Sequence, residues 1–415
     1  MPASRLIPLA VSALLITPAL AAPLQGSAWT RHTIDHRGQG ADGVRLADVN
    51  ADGQPDIVTP WEEGGRIRVY LNPGPEQVKQ TWFAVTVGAV ESPEDAVFVD
   101  LDGDGATDVV SASEGKTQSL AVHWAPSEPA EYLNPHAWTT EVFPGSTGTA
   151  WMYCLPMDVD GQRGIDLIVG SKGGGVEYEN AALRFGGSGV LGWFESPEDP
   201  RALDRWIFHD LRPMGWTMTL AAVDMNGDQR EDLLFTDRKG ARRGCWWLEK
   251  PGEGQTAWLE QLIGGEEKEL MFATVARRVD GLPVAVAAAT AGDTVLWFER
   301  EARAHAPWQS ETLTFPPGVG TGKGVAAGDL DGDGREDLVV SCEDAKNKTG
   351  VLWFGRADGR AWTAHRISDL AGTKFDLVQL HDLDGDGDLD VLTCEEKEGL
   401  GVVWYENPGA TKAAE

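Results

Sequence analysis

Residues 48–58 read Asp48-Val49-Asn50-Ala51-Asp52-Gly53-Gln54-Pro55-Asp56-Ile57-Val58: side-chain oxygens at alternate positions, a turn glycine, a final Asp and a branched apolar run. Close copies stand at Asp100/Asp102/Asp104/Asp108, Asp224/Asn226/Asp228/Asp232, Asp329/Asp331/Asp333/Asp337 and Asp382/Asp384/Asp386/Asp390, with a weaker one at Asp158/Asp160/Gln162/Asp166. Two other signatures recur around them in fixed order. One is an aromatic strand, as in Leu191-Gly192-Trp193-Phe194-Glu195 and Val403-Trp404-Tyr405-Glu406. The other is a strand led by Trp, starting at Trp29, Trp82, Trp138, Trp206, Trp258, Trp308 and Trp362. Self-similarity at about fifty residues marks a repeat architecture. Four short strands per unit and seven units predict an all-β, seven-bladed propeller of four-stranded antiparallel blades. The chain opens on a Trp-led strand and closes on an aromatic one, so the N-terminal strand is expected to complete the last blade and close the ring, leaving no open edge.

Around this domain (29–409), residues 1–21 read as a signal peptide: Arg5, an apolar run from Leu6 to Ile16, and the small-residue site Ala19-Leu20-Ala21. Residues 22–28 form a linker and 410–415 a tail. Export to the periplasm or beyond is expected, with no membrane span. The net charge of −30 argues against nucleic acid. Cys154, Cys245, Cys342 and Cys394 lack metal-site spacing and are expected to be buried and unpaired.

Alternating oxygen ligands around a glycine turn suit calcium, which takes six to eight oxygens. An EF-hand would need Glu eleven residues after the first Asp; Thr59, Ser111, Val340 and Thr393 stand there instead. The units holding Asp48, Asp100, Asp329 and Asp382 keep every ligand and the glycines Gly53, Gly105, Gly334 and Gly387. The fourth has Gln229 at the turn, which makes a weaker site; the third is doubtful, and the fifth has only Asp280-Gly281. Four to five structural calcium ions are therefore expected, against plain Asx-turns as the alternative.

The Asp-x-[Asp/Asn]-x-Asp-Gly-x-x-Asp loops followed by a strand resemble the FG-GAP/VCBS repeats of integrin-α-like propellers. Lys374-Phe375-Asp376 with Thr393-Cys394-Glu395-Glu396 resembles one bacterial branch of that superfamily. The resemblance implies calcium and seven blades, and related propellers include adhesion modules, lectins and carbohydrate lyases.

Counting along the strands places Glu62, Glu114, Lys172, Arg238, Glu343 and Glu396 six residues after the last loop Asp. Six before the first loop Asp stand Asp42, Glu94, Met152, Met218, Lys323 and Asp376. Both sets are expected to rim the opening opposite the Asp loops. With Lys239, Lys374, Trp61, Trp151 and Trp216 they suggest a site for a carbohydrate or other small polar ligand, acidic because Lys172, Arg238 and Lys239 gather there. A Gly-rich segment, Gly170 to Gly189, is expected to cover it. Alternatives are a carbohydrate lyase, with His36, Asp376, Glu395 or Glu396 as base, and an adhesion module with a protein partner. His32, His209 and His365 read as structural.

Overall fold

The computed structural model describes residues 23–173, 189–356 and 361–409. The expected signal peptide, the tail and residues 174–188 of the Gly-rich segment lie outside them. Among the described residues no helix is long and apolar enough to cross a membrane.

Strand β1 (Thr30–Asp35) is followed by seven groups of strands. Blade 1 is β2 (Arg45–Ala47), β3 (Asp56–Trp61), β4 (Arg66–Tyr70) and β5 (Ala84–Gly88). Blade 2 is β6 (Pro93–Val99), β7 (Asp108–Ser113), β8 (Leu120–Trp124) and β9 (Thr139–Val142). Blade 3 is β10 (Trp151–Met157), β11 (Asp166–Ser171), β12 (Gly189–Glu195) and β13 (Ile207–Met214). Blade 4 is β14 (Thr217–Val223), β15 (Asp232–Asp237), β16 (Gly244–Glu249) and β17 (Leu259–Gly264). Blade 5 is β18 (Leu270–Val279), β19 (Leu282–Thr290), β20 (Thr294–Glu299) and β21 (Gln309–Thr314). Blade 6 is β22 (Thr321–Gly328), β23 (Asp337–Glu343), β24 (Val351–Gly355) and β25 (Thr363–Arg366). Blade 7 is β26 (Phe375–His381), β27 (Asp390–Glu395) and β28 (Gly401–Glu406), completed by β1.

Each blade is antiparallel, and β1 pairs with β28 from Thr30 opposite Glu406 to Asp35 opposite Val402. The ring is therefore closed by its first strand, as the strand order required. The second strands β3, β7, β11, β15 and β27 are buried along their whole length, because blades cover both their faces. The outer strand β9 is exposed throughout. Apolar clusters bridge neighbouring blades, for instance Val58 and Val69 with Ala96 and Val109.

The Trp leading an outer strand has a local task. Trp82, Trp138 and Trp206 donate Nε1–H to the carbonyls of Val78, Tyr132 and Pro200 at 3.0, 2.8 and 2.9 Å, tying down the incoming loop. His32, His209 and His365 stack on the cross-strand tryptophans Trp404, Trp193 and Trp353 at 4.4, 4.5 and 4.2 Å, so all three serve the blades. All four cysteines are buried and unpaired. Blade 5 replaces its missing loop with the two-residue turn Asp280-Gly281, both left-handed (φ 49° and 83°) as a type I′ hairpin needs. Its strands β18 and β19 run to ten and nine residues.

Candidate functional site: the Asp loops and the channel mouth

The Asp loops are held first by their own backbone. Asp48 accepts the N–H groups of Asp52 and Gly53 at 3.1 and 2.9 Å, and Asp382 those of Gly385, Asp386 and Gly387. The last Asp of each loop is a latch. Asp56 accepts from Val49 (3.0 Å) and Asn72 (2.8 Å), and Asp108, Asp166, Asp232 and Asp390 repeat the pair, joining loop to third strand. Burial pushes Asp56, Asp166 and Asp232 up to about 6 and Asp108, Asp337 and Asp390 to about 7; the N–H bonds work against it.

Carboxylate oxygens come within 4.8 Å of one another at Asp100/Asp102/Asp108, Asp158/Asp160/Asp166, Asp329/Asp331/Asp333 and Asp382/Asp384/Asp390. Oxygen donors at that spacing fit a hard cation. The third unit's Asp158, Asp160 and Asp166 gather as in blades 2 and 7. Three of the ligands expected in blades 2, 6 and 7 stand outside these trios. Asp104 is one: it turns back on its own loop, accepting the Ala106 N–H at 2.8 Å, with the Arg201 guanidinium 4.0 Å from its other oxygen. Asp386 likewise accepts from the Asp388 N–H at 3.2 Å, and Asp337 is engaged as a latch on Leu330 at 2.9 Å.

In blade 4 Gln229 takes the left-handed conformation of the missing glycine (φ 66°), so the turn survives. There and in blade 1 the amides of Asn226 and Asn50 donate to Asp228 and Asp52, and neither loop gathers three carboxylates, leaving Asp48, Asp52 and Asp56, and Asp224, Asp228 and Asp232, outside any trio. Four loops also carry a basic neighbour: Arg201 binds Asp102 at 2.5 Å, Lys79 binds Asp384 at 2.9 Å, and Arg230 and Arg335 fold back on Asp228 and Asp333 at 2.5 and 3.4 Å.

The opposite end of the ring is shaped by bulges. In every inner strand except β2, pairing with the second strand slips near the mouth, between Pro93 and Asp95, Trp151 and Tyr153, Thr217 and Thr219, Leu270 and Ala273, Gly322 and Val325, and Phe375 and Val378, and the long β18 slips twice more, between Val275 and Arg278. A bulge leaves a residue unpaired and re-aims its side chain. The residues skipped include Glu94, Met152, Met218, Met271, Lys323 and Asp376, and the first five line one cavity of about 260 Å³. Asp42, Glu62, Glu114, Lys172, Arg238 and Glu343 complete most of its charged wall. Ten of the twelve residues counted along the strands therefore meet here; Asp376 and Glu396 do not line it.

Each lining cation is already paired. Lys172 contacts Glu114, Arg238 contacts Glu269 at 3.2 Å, Lys323 contacts Asp376, and Lys374 contacts Glu396. Burial works against the charge of Lys323, but Asp376 and Asp42 hold it protonated well above its ordinary range. Lys323 in turn overcomes the burial of Asp376 and keeps that carboxyl low. Asp42 is raised by burial and by Asp376, and Glu94 is pushed to about 7 by burial and by Glu62.

Several expected site residues lie elsewhere. Trp61 and Trp151 are 1% and 0% exposed: Trp61 donates to the Tyr70 hydroxyl, and Trp151 packs on Phe194 and Phe208, so neither offers a ring to a ligand. Trp216 does line the cavity, but Lys172, Arg238 and Lys239 sit 4.6, 4.8 and 4.9 Å from its ring centre. It organises cations through its quadrupole, and Lys239 lies outside the lining. Glu395 is engaged as a brace: its buried carboxylate accepts from the backbone N–H groups of Thr373, Lys374, Lys397, Glu398 and Leu400. Glu396 and Asp376 are buried in ion pairs, and His36 is exposed outside the cavity. The counting missed Tyr153 and Met271. Met271 had no loop to count from, and Tyr153 follows a bulge residue.

Residues 48–111 match the model of a family described as FG-GAP-like repeat. No curated protein matches the chain. Among solved structures it is similar to BBS1N in complex with ARL6DN in mercury- and lead-soaked crystals, at 11% and 12% identity. In both cases the match covers 93% of this chain and 98% of the other, with a TM-score of 0.51, a likeness of fold alone. The chain is thus a seven-bladed β-propeller that carries an FG-GAP-like repeat across its first two Asp loops.

Proposed function

We propose that the channel mouth binds a small, polyhydroxylated, carbohydrate-type ligand, and that calcium in the Asp loops stabilises the blades that shape it. The observation carrying this reading is the cavity itself: about 260 Å³, room for one sugar ring, walled by charged hydrogen-bonding side chains from most of the blades. Because Lys172 and Arg238 are paired with carboxylates, the reading rests on hydrogen bonding to hydroxyls and no longer on an acidic ligand. We place the protein outside the cytoplasm on its leader-like first 21 residues. A panel of mono- and oligosaccharides titrated into the calcium-loaded protein tests the proposal. Binding should disappear in a K172A/R238A double variant that still melts cooperatively, and retained binding would move the site elsewhere.

One observation favours elimination chemistry as a second reading. Glu94 lines the cavity with its carboxyl at about 7, a value suited to proton transfer at neutral pH. New ultraviolet absorbance from a conjugated double bond on a uronate-containing substrate, lost in E94Q, would establish it; no rise on any such substrate removes it.

A further inference from the structure

The carboxylates of Asp42, Glu62 and Glu94 come within 4.8 Å of one another on one wall of the cavity. Glu62 and Glu94 make no side-chain hydrogen bond or ion pair among the described residues, and the nearest cation to Asp42, Lys323, stands 3.9 Å away and serves Asp376 more closely. Five carboxylates (Asp42, Glu62, Glu94, Glu114 and Glu343) line the cavity with four cations, and three of those cations, Arg238, Lys323 and Lys374, pair with carboxylates outside the lining, leaving only Lys172 paired within it.

Tyr153 is an independent sign of a ligand. The residue is 4% exposed, its ring fixed between the Phe272 edge at 5.5 Å and the Arg45 guanidinium at 6.0 Å. It lines the same cavity, coupled electrostatically to Asp376, Asp42 and Glu94, and its hydroxyl has no hydrogen-bond partner among the described residues. A phenol whose ring is fixed in this way, with its hydroxyl bonded to no described residue beside the Glu62 and Glu94 carboxylates, can take up a polar group from outside.

We propose that the ligand carries a protonated amine, seated on Asp42, Glu62 and Glu94 with the Tyr153 hydroxyl beside it. This deepens the carbohydrate reading, on which it rests, to an amino sugar or a similar amine-bearing polyol. An ammonium offers three N–H donors and one positive charge, matching three acceptors at this spacing. Calcium fits less well, since it needs six to eight oxygens and the same lining also carries the thioethers of Met152, Met218 and Met271 and the ammonium of Lys323.

Calorimetric titration of the calcium-loaded full chain at pH 7 with glucosamine, N-acetylglucosamine and glucuronate decides it. Glucosamine should bind at least about tenfold tighter than N-acetylglucosamine, which keeps the ring and loses the charge. E62Q/E94Q should erase that preference without lowering the melting temperature, since it removes like-charge repulsion, and Y153F should weaken glucosamine by a smaller factor. Equal or tighter binding of N-acetylglucosamine or glucuronate overturns the ammonium site and leaves the carbohydrate reading standing. A preference that survives E62Q/E94Q also overturns it, and binding of none of the three removes both.

Discussion

Replacing Glu395 by Gln separates a brace from a catalytic base. The carboxylate spans two backbone segments: Oε1 accepts from Thr373 (3.1 Å), Lys374 (3.3 Å), Lys397 (3.0 Å) and Glu398 (2.9 Å), and Oε2 from Glu398 (2.9 Å) and Leu400 (3.1 Å). Glu395 is 1% exposed, so water cannot take over. In the amide one oxygen still accepts, but the NH2 group faces donors. Hydrogen bonds to a charged group contribute about 1.5–3 kcal/mol each, and a stranded buried donor costs about 1–3 kcal/mol. These costs do not add in full within one network. Losing the Oε2 side and the charge should therefore cost about 3 kcal/mol, and E395A somewhat more. The assay is urea unfolding combined with native-state amide exchange. The midpoint should fall, and the amides of Thr373, Lys374, Lys397, Glu398 and Leu400 should lose protection ahead of the rest of blade 7. An E395Q protein within about 0.5 kcal/mol of the parent, the range of an ordinary surface change, with those amides still protected, would refute the reasoning.

Deleting residues 23–35 removes β1 and bares the edge of β28, so the truncated protein should melt lower and associate on a sizing column, whereas a monodisperse monomer would argue against ring closure. His123 is enclosed between Ser111 and Thr140 hydroxyls, both at 2.9 Å, and burial pushes its imidazolium down to about 3. The unfolded chain takes up that proton near 6.5 and the native state does not, so stability falls as pH drops from 6.5 toward 3, by about 2 kcal/mol at pH 5. H123Q should lose about that much less than the parent between pH 7.5 and pH 5; parallel profiles would count against it. Chelation should lower the melting temperature, and D158N/D160N should reduce the bound calcium by one ion, which an unchanged stoichiometry would contradict.

How far the sequence reached depends on what each feature asks of the chain. Blade number and ring closure follow from the order of repeated Trp and Asp signatures, which report strand ends and turns directly. Those signatures say less about which oxygens converge: Asp104 and Asp386 keep the loop spacing, yet each spends its carboxylate on a neighbouring backbone N–H. The channel mouth follows from counting residues, and counting works as long as every blade spends the same number of them. It does so here because the bulge recurs at one level in β6, β10, β14, β22 and β26, putting Glu94, Met152, Met218, Lys323 and Asp376 in equivalent places. The bulge itself leaves no mark in residue type, since Glu, Met, Lys and Asp all occupy it. Chemistry at the mouth was harder to read for a related reason. Lys172 and Arg238 looked like a basic patch in a chain of net charge −30, but their partners Glu114 and Glu269 come from β-strand ends fifty-eight and thirty-one positions away. Charge in a propeller channel is set by which side chains neighbouring blades bring together, a relation that no short linear window contains. The exposed-looking rings of Trp61 and Trp151 failed for a simpler reason, because the loop at Gly38 lies on Trp61 and Phe194 and Phe208 of its own blade pack on Trp151. Once the cations are matched, what remains at the mouth is Asp42, Glu62, Glu94, Glu343 and the Tyr153 hydroxyl, and the donor that satisfies the clustered three defines what this propeller binds.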